Sequence, residues 1–357
     1  MSKSLEILLI STACAPTITT GEAAYGGIES CLGNFATVLN RLGHQVMVAA
    51  PFGSKFDEGV NFFPTVNLPG ECWRDDVAFE KLARQNLIPN GFSVIHDFSH
   101  SHPVSRISHG FWAKQHPILS MVWHPPYFNG LANRISEPAY NLCGVSESQA
   151  KGLSEIYNQE VKWAHLGIDA ERYALQKDKS DRYLWLSVPN KEKGGVEAIQ
   201  IAKRLGLKLD CVGGQISNQP SIYMEQMKSM CDGEQIRWVG AVPETEKIKY
   251  FQNAKAFIFT VLQNEPFGLV MPEALSCGTP VFALNNGSPR EIVTEECGVV
   301  ADSLGELEKR LADFEAKSLG FRADLCRQRA LDVFTREKMC ERYIKLYEQI
   351  GRLEFWY

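Results

Sequence analysis

The stretch Glu265–Glu273 reads Glu-Pro-Phe-Gly-Leu-Val-Met-Pro-Glu, and the run Ala-Leu-Ser-Cys-Gly-Thr-Pro follows it directly. A proline has the backbone angle of a first helical residue and lacks the amide hydrogen that would stay unpaired there, so this pattern predicts a helix that begins at Pro272. Glu273 would then lie in the first helical turn, where the helix dipole favours an ionised carboxylate that only accepts hydrogen bonds.

The two carboxylates that bracket this stretch suit ligands rich in hydroxyl groups. An ionised carboxylate has the lone pairs to accept two hydrogen bonds from a vicinal diol, such as that of a ribose. We therefore predict that Glu273 binds a ribose diol and that Glu265, on the loop side of the turn, binds a second polyol. The pair suggests a nucleotide-sugar site with one acid for each sugar.

The same residues resemble the paired-glutamate signature of the retaining glycosyltransferases of family 4, in which seven residues separate the two glutamates. The match extends beyond Glu273 through Gly278–Pro280 and continues to Pro289–Glu291. The resemblance implies an α/β protein with the GT-B fold, in which two Rossmann-like domains have parallel sheets that face each other across a cleft. It also implies a C-terminal helix that crosses back onto the first domain.

Length, charge and hydropathy agree with this expectation. A chain of 357 residues exceeds what one core usually supports, and 37 basic against 42 acidic residues give no electrostatic case for nucleic-acid binding. The sequence lacks an apolar run of about eighteen residues and a signal-peptide pattern, so we expect a cytoplasmic protein with at most peripheral membrane contact. The ten cysteines are scattered, which is typical of mostly buried thiols rather than zinc ligands or a disulfide framework.

Short apolar runs alternate with helix-length segments, which is the pattern of parallel α/β sheets. The predicted strands are Glu6–Ser11, Gln45–Ala50, Val94–Asp97, Ile118–His124, Leu142–Val145, Tyr183–Val188, Lys208–Gly213, Ile236–Val239, Ala256–Thr260 and Pro280–Leu284. Apolar periodicity predicts helices over Gly27–Leu42 and Thr335–Ile350. Because the segment from Asp169 to Asp181 is polar, we predict a first domain of residues 1–170 with 336–357 and a second domain of residues 171–335.

A glycine pair precedes the first predicted helix. Gly26 and Gly27 would let the backbone approach a ligand closely, and the helix would present free N–H groups to a phosphate or sugar oxygen. The resemblance implies that this is the family's glycine-rich first loop, so both glycines are predicted to bind the donor. A plain strand-to-helix turn is the alternative.

Histidines cluster in the first half of the chain. His124 ends a predicted strand, and ligands bind at the carboxyl ends of strands in open α/β sheets. The resemblance implies that His124 meets the donor sugar across the cleft and that His96 is structural. We expect no metal, because His96, His100 and His102 are loosely spaced, Asp97 is the only close carboxylate and no cysteine joins them.

The segment Asn190–Gly195 reads Asn-Lys-Glu-Lys-Gly-Gly and resembles the loop that grips the donor diphosphate. The resemblance makes Lys193 the basic residue beside the phosphates, where its charge would stabilise the leaving nucleotide. The family usually has an arginine a few residues earlier, and this chain has Ser187–Pro189 there. Either another basic residue such as Arg290 or Lys191 compensates, or the diphosphate is held less tightly.

The resemblance implies further donor contacts through the backbone. The N–H groups around Phe267, Gly268 and Leu269 would meet the diphosphate and the sugar. The strand and loop that lead into the next helix would meet the nucleobase, with Gly240 and Val242 as the named positions.

The activity implied by the resemblance is metal-independent transfer of a hexose from a nucleoside-diphosphate sugar to an acceptor hydroxyl, with retention of configuration. A UDP-sugar is the favoured donor, and no other cofactor is expected. Because the family's glutamates bind sugars rather than attack them, front-face transfer is favoured, in which the leaving phosphate oxygen takes the acceptor's proton. Glu265, His124 and Lys193 are the predicted catalytic residues.

Other interpretations of the sequence remain open. Carboxylate spacing alone also permits a glutamate that protonates a leaving group, as in glycosidases. A nucleotide-sugar epimerase of the same fold and a non-catalytic nucleotide-sugar-binding relative are the alternative functions, and the absent arginine favours the second. The acceptor, whether a glycan, a lipid-linked sugar or a small molecule, is not specified by any pattern.

Overall fold

The computed structural model describes residues 4–19, 26–65, 91–100, 117–123, 141–214, 221–352, 354 and 356. The chain divides into two units, the first of Met1–Gly167 with Arg336–Tyr357 and the second of Ile168–Thr335. Each unit is built on one parallel sheet, which confirms the predicted α/β class.

The sheet of the first unit has the strand order β3-β2-β1-β4-β5-β6-β7, and all neighbouring strands are parallel. Its strands are β1 (Glu6–Ile10), β2 (Gln45–Ala50), β3 (Asn61–Pro64), β4 (Val94–Asp97), β5 (Ile118–Met121), β6 (Leu142–Gly144) and β7 (Lys162–Trp163). In the central strand β1, the four residues from Ile7 to Ile10 are all buried. A continuous apolar run of this kind is typical of a parallel strand that is covered on both faces.

The sheet of the second unit has the order β10-β9-β8-β11-β12-β13 and is also fully parallel. Its strands are β8 (Arg182–Leu186), β9 (Lys208–Val212), β10 (Ile236–Gly240), β11 (Phe257–Phe259), β12 (Val281–Leu284) and β13 (Gly298–Ala301). The strand order reverses between β8 and β11. In open α/β sheets, ligands bind in the crevice beyond the carboxyl ends of strands at such a switch point.

The helices of the described residues are α1 (Gly27–Arg41), α2 (Glu147–Tyr157), α3 (Gly195–Leu205), α4 (Ile222–Ser229), α5 (Glu244–Asn253), α6 (Val270–Ser276), α7 (Pro289–Ile292), α8 (Leu304–Glu315), α9 (Ala323–Val333) and α10 (Arg336–Gly351). Helix α10 belongs to the first unit and packs on α1 and β4. Its residues Met339, Tyr343 and Tyr347 recur at every fourth position and are buried.

His96 lies in the core of the first unit. Its ring packs against Phe98 and Tyr343, and its Nδ1 atom lies 2.7 Å from the Tyr347 hydroxyl of α10. Complete burial lowers the pKa of His96 well below its ordinary value, so the imidazole is neutral. This residue therefore joins α10 to the sheet, as a structural histidine would.

Several predicted elements differ from the observed ones. The sequence patterns did not indicate β3, β7 or β13, which are two to four residues long. The strand predicted over Ile118–His124 ends at Met121, and His124 lies outside the described residues. Helix α6 begins at Val270, so the predicted helix start at Pro272 is wrong. A proline is tolerated at this third helical position because the first four N–H groups of a helix have no intrahelical partner.

Eight described cysteines are free thiols, and all but Cys231 are buried. The expectation of mostly buried thiols is therefore confirmed for these eight, and it is wrong for Cys14, which is disulfide-bonded. Within the described ranges, no helix combines the length and hydropathy needed to cross a bilayer. The same ranges contain no group of three or more His, Cys, Asp or Glu side chains arranged to hold a metal ion.

Candidate functional site

Lys193 and Glu265 meet at the switch point of the second sheet. Lys193 ends a short 3-10 turn in the loop after β8, and Glu265 lies in the loop after β11. The Lys193 Nζ atom is 2.6 Å from Glu265 Oε2, and the two side chains are 22% and 12% exposed. The structure thus places a cation and a carboxylate side by side, partly shielded from water, where a ligand of this fold would lie.

The backbone around Lys193 is held by the loop that carries Glu265. Gly194 has φ +67, and a Cβ atom on it would overlap the carbonyl oxygen of Thr260. The Thr260 hydroxyl donates to the Gly194 carbonyl at 2.7 Å, and the Leu262 amide donates to the Glu192 carbonyl at 2.8 Å. Only glycine permits this close approach, and the approach fixes Lys193 relative to Glu265.

A third loop, after β12, fixes the backbone of Glu265. The Glu265 amide donates to the Asn286 carbonyl at 3.0 Å, and the Ser288 amide donates to the Glu265 carbonyl at 3.1 Å. Gly287 lies between these residues with φ +90, directly against the Glu265 backbone. Glu265 therefore sits on a segment that is bonded on both sides, which suits a group that must orient a ligand.

The turn between the two predicted glutamates combines a buried side chain with a left-handed glycine. Phe267 is 2% exposed, packs against Phe334, and accepts a hydrogen bond from the Ser288 hydroxyl at its carbonyl. Gly268 has φ +78 and accepts from the Met271 amide at 3.0 Å, so the chain passes from Leu269 directly into α6. The Phe267 side chain is therefore part of the core, and any ligand contact there would use the backbone.

Glu273 is buried on α6 and pairs with Lys247 of α5. The Lys247 Nζ atom lies 3.2 Å and 3.1 Å from the two carboxylate oxygens of Glu273. The same ammonium lies 2.9 Å from Glu244 Oε2, and the Tyr173 hydroxyl donates to Glu244 Oε1 at 2.5 Å. The second predicted glutamate thus belongs to a cluster of four polar residues, which we call the Lys247 cluster (Tyr173, Glu244, Lys247 and Glu273).

Burial and ion pairing oppose each other in the Lys247 cluster. Burial raises the pKa of Glu273, and the Lys247 ammonium offsets only part of this rise. Burial alone would lower the pKa of Lys247, but the carboxylates of Glu273 and Glu244 outweigh it and raise that pKa. The ammonium, rather than the helix dipole that the sequence suggested, is therefore the principal group that favours the ionised form of Glu273.

In the first unit, the predicted donor-binding glycines lie at the start of α1. Gly27 is the first helical residue, and a Cβ atom on Gly26 would overlap the carboxylate of Glu29. Glu29 is buried, accepts a hydrogen bond from the Thr12 hydroxyl at 2.6 Å, and has a pKa raised by burial. A side chain at position 26 would therefore require the Glu29 carboxylate, the flexible end of its side chain, to move.

The predicted nucleobase positions follow β10. Gly240 has φ +86 and accepts a hydrogen bond from the Gly213 amide at 2.9 Å, and Val242 is half-buried just beyond it. Ser187 lies in the segment where the family usually has an arginine. Its amide donates to the Val212 carbonyl at 3.1 Å, so this backbone continues the pairing of β8 with β9.

Neither suggested substitute for the absent arginine is bonded to Lys193 or Glu265 among the described contacts. Arg290 binds Asp302 at 2.7 Å, with more than half of both side chains exposed. Lys191 is exposed on the 3-10 turn that carries Lys193. Lys193 is therefore the basic side chain that the structure ties to the predicted sugar-binding glutamate.

The structure brings Lys193 and Glu265 together, whereas Glu273 has a different basic partner. Sequence reasoning missed Tyr173, Glu244 and Lys247. A partial signal existed, because Glu244 and Lys247 are three residues apart at the start of a helix, where such side chains pair. The pairing of Lys247 with Glu273 spans 26 positions, which no local pattern reveals.

Comparison with known proteins identifies the class of the second unit. Residues 169–327 match the model of the family Glycosyl transferases group 1. The matched part of the chain carries Lys193, Lys247, Glu265 and Glu273. The predicted resemblance to glycosyltransferases is confirmed.

Individual relatives agree with this assignment. The chain is 33% identical over 122 residues to the alpha-1,3/1,6-mannosyltransferase alg-2 of Neurospora crassa, a match that covers 31% of this chain. The chain spans 25% of the length of that relative.

Solved structures resemble nearly the whole chain. Sucrose-phosphate synthase from Thermosynechococcus elongatus is similar with a TM-score of 0.79 and 16% identity, over 97% of this chain and 99% of that one. The Anabaena protein HepE, in complex with UDP and glucose, has a TM-score of 0.71 and 14% identity, over 96% of this chain and 99% of that one. At such low identity these similarities concern the fold, and they confirm the predicted GT-B class.

Proposed function

We propose that this protein transfers a sugar from a nucleoside-diphosphate sugar to an acceptor hydroxyl, with retention of configuration and without a metal ion. The Lys193–Glu265 pair at the switch point of the second sheet carries the proposal. A cation beside a carboxylate matches a donor whose diphosphate is anionic and whose sugar presents hydroxyl groups. The pair lies inside the residues that match the model of the family Glycosyl transferases group 1.

In this proposal, each described side chain has one role. Lys193 binds the diphosphate and stabilises the charge that develops as the nucleotide leaves, and Glu265 orients the donor sugar through its hydroxyls. Glu273 binds the ribose diol, and backbone groups around Gly268 and Leu269 approach the phosphates. His124, whose position lies outside the described residues, would bind a sugar hydroxyl.

The proposed chemistry is front-face transfer. The bond between the anomeric carbon and the phosphate oxygen breaks while the acceptor oxygen bonds to the same face of the sugar. The leaving phosphate oxygen takes the acceptor's proton, so the protein supplies positioning and electrostatic stabilisation rather than a nucleophile. Both glutamates are engaged by lysines, an arrangement that suits ligand binding better than attack on carbon.

A UDP-sugar is the donor that we test first, because the similar protein HepE was solved with UDP and glucose. Calorimetric titration with UDP, GDP and ADP, and with one common sugar of each, would identify the nucleotide. We expect selective binding of one nucleotide by the parent protein and weakened binding by the Glu273→Ala variant. Equal binding by the two proteins would contradict the assignment of Glu273.

Transfer itself requires an acceptor panel of glycans, lipid-linked sugars and small molecules. Release of nucleoside diphosphate that depends on one acceptor, with a product whose anomeric configuration by NMR matches that of the donor, is the expected outcome. An inverted product would contradict the proposed mechanism. Donor conversion without any acceptor would instead indicate an epimerase.

A non-catalytic nucleotide-sugar-binding protein is the second candidate, and one observation favours it. The segment Ser187–Pro189 holds no arginine, and Arg290 pairs with Asp302. Tight nucleotide binding with no turnover over the whole acceptor panel would support this function over transfer.

A further inference from the structure

Lys247 is a lysine of the second unit for which the proposed mechanism has no role so far. It lies on α5, and its side chain is 19% exposed. Its ammonium contacts Glu244 Oε2 at 2.9 Å and both oxygens of Glu273 at 3.1 and 3.2 Å. Because Glu273 comes from α6, one ammonium joins two helices and two carboxylates.

Glu244 acts as the anchor of the Lys247 cluster. One of its oxygens accepts from Lys247, and the other accepts the only proton of the Tyr173 hydroxyl. Lys247 also lies 5.5 Å from the centroid of the Tyr173 ring, on which a cation is attracted by the π-electrons. Lys247 is therefore held by two groups other than Glu273, so its position does not depend on that glutamate.

Glu273 is the member of the cluster with acceptor capacity left over. A carboxylate has about four lone-pair sites. Glu273 shares the Lys247 ammonium between its two oxygens and has the Tyr173 hydroxyl as a second nearby donor. About a tenth of its side chain stays exposed, so a ligand can reach it from one side only. A carboxylate this buried and without a cation would favour its protonated form, which donates a proton instead of accepting from a diol.

We propose that Lys247 is a positioning residue for the donor nucleotide: it holds the Glu273 carboxylate ionised and in one orientation, so that the remaining lone pairs accept the ribose hydroxyls. Lys247 does not touch the ligand. The inference rests on the proposed function, because it assumes that Glu273 binds a ribose.

A ribose-specific comparison tests this role. The nucleoside diphosphate that binds most tightly among UDP, GDP and ADP is compared with its 2′-deoxy counterpart by calorimetry. The proteins are the parent, Lys247→Met, Lys247→Arg and, as a matched control on the exposed side of α5, Lys249→Met. The readout is the ratio of the two dissociation constants. Partial unfolding would weaken the binding of both nucleotides by the same factor and leave this ratio unchanged.

The parent and Lys249→Met are expected to bind the ribose form about 10-fold or more tightly than the deoxy form, since hydrogen bonds to a charged group have this strength. Lys247→Met should bring the ratio close to one, and Lys247→Arg should restore part of it. A parent-like ratio in Lys247→Met would overturn the positioning role. Equal loss of affinity for both nucleotides, with the ratio unchanged, would overturn it as well.

Failure of the proposed function gives a different result. If the parent binds none of the three nucleotides, the nucleotide-sugar site is wrong; if it binds one without preferring ribose, the Glu273 assignment is wrong. Lys247→Met leaves the buried Glu273 carboxylate beside the partly exposed Glu244 carboxylate, so the double variant Glu244→Gln, Lys247→Met serves as a second test that removes this repulsion. A folded double variant that keeps the ribose preference would equally overturn the proposal.

Discussion

The two sheets share the same strand order around their switch points, yet the loops at the two switch points carry different chemistry. In the second unit the loops after β8 and β11 hold a lysine against a carboxylate. In the first unit, the carboxylates of Glu29 on α1 and Asp97 at the end of β4 are bonded to hydroxyl groups. Thr12 donates to the nearby Glu29, and Asp97 accepts from the amide and the hydroxyl of Ser99. The described residues 11–19 and 98–100 include no lysine or arginine.

This difference shows that the topology supplies a place for a ligand, whereas the loop residues decide its charge. The second unit offers a positive centre, as an anionic donor requires. In the described part of the first unit, the carboxylates of Glu29 and Asp97 instead accept hydrogen bonds from hydroxyl groups of the chain. The predictions below test whether the two switch points differ in this way.

The largest effect is expected from removing the cation of the second switch point. Lys193→Met should lower kcat/KM for the donor by about 10²–10³, the usual consequence of losing one electrostatic stabiliser of the transition state. Steady-state kinetics would measure it, with the exposed Lys203→Met as control. Activity within a factor of about two of the parent would remove Lys193 from the mechanism and weaken the contrast between the units.

Replacing each glutamate of the pair should separate their roles. Glu273→Ala should weaken nucleotide binding about 10–100-fold, since it removes charge-assisted hydrogen bonds to the ribose. Glu265→Ala should lower kcat more than it weakens nucleotide binding, because its ligand is the sugar. Calorimetry with the nucleotide and kinetics with the donor, run on both variants, would reveal the difference. Identical profiles for the two variants would contradict the assignment of one acid to each sugar.

A pair of glycines tests how tightly the second switch point is built. Gly194 and Gly206 have nearly the same φ, +67 and +68, but a Cβ atom meets the Thr260 carbonyl at the first and nothing within 4 Å at the second. Gly206→Ala should cost about 1–2 kcal/mol for its left-handed backbone, and Gly194→Ala should cost about 1–3 kcal/mol more. Denaturant unfolding would compare them. Equal costs would mean that the two loops are not in close contact.

The smallest effect concerns the first switch point. Burial raises the pKa of Glu29, so the folded state keeps a proton that the unfolded state releases. The free energy of unfolding should therefore fall as pH rises from 4.5, the ordinary pKa of a glutamate, through the folded pKa. Glu29→Gln removes this dependence. The difference between the melting temperatures, parent minus variant, should therefore decrease between pH 4 and 7. A difference that increases with pH would indicate a cation beside Glu29.

Much of the fold was predictable because the strands of both sheets contain short apolar runs that alternate with helix-length segments. The bounds of β2 and β4 match the predicted ranges; α1 differs from its range by one residue at one end, and α10 by one residue at each end. The strands that were missed lie at edges or are very short. Strand β3 ends in Pro64 and β7 has two residues, so neither carries a clear alternating or continuous apolar pattern.

The site was predictable only where family resemblance and local sequence coincide. Lys193 and Glu265 follow from short motifs, and the structure brings them together. The partner of Glu273 was not predictable, because Lys247 reaches it from another helix across 26 positions. The contact between Gly26 and the Glu29 carboxylate was also not predicted, because it depends on where the Glu29 side chain lies.

The place of α10 has a consequence for the synthesis of this protein on the ribosome. The first unit needs Tyr343 and Tyr347 to complete the core around His96, and these residues are translated after the whole second unit. The second unit, Ile168–Thr335, is continuous and can close its core as soon as it has left the exit tunnel. The first unit therefore completes its folding after the second, and its unfinished hydrophobic surface stays exposed until α10 has emerged.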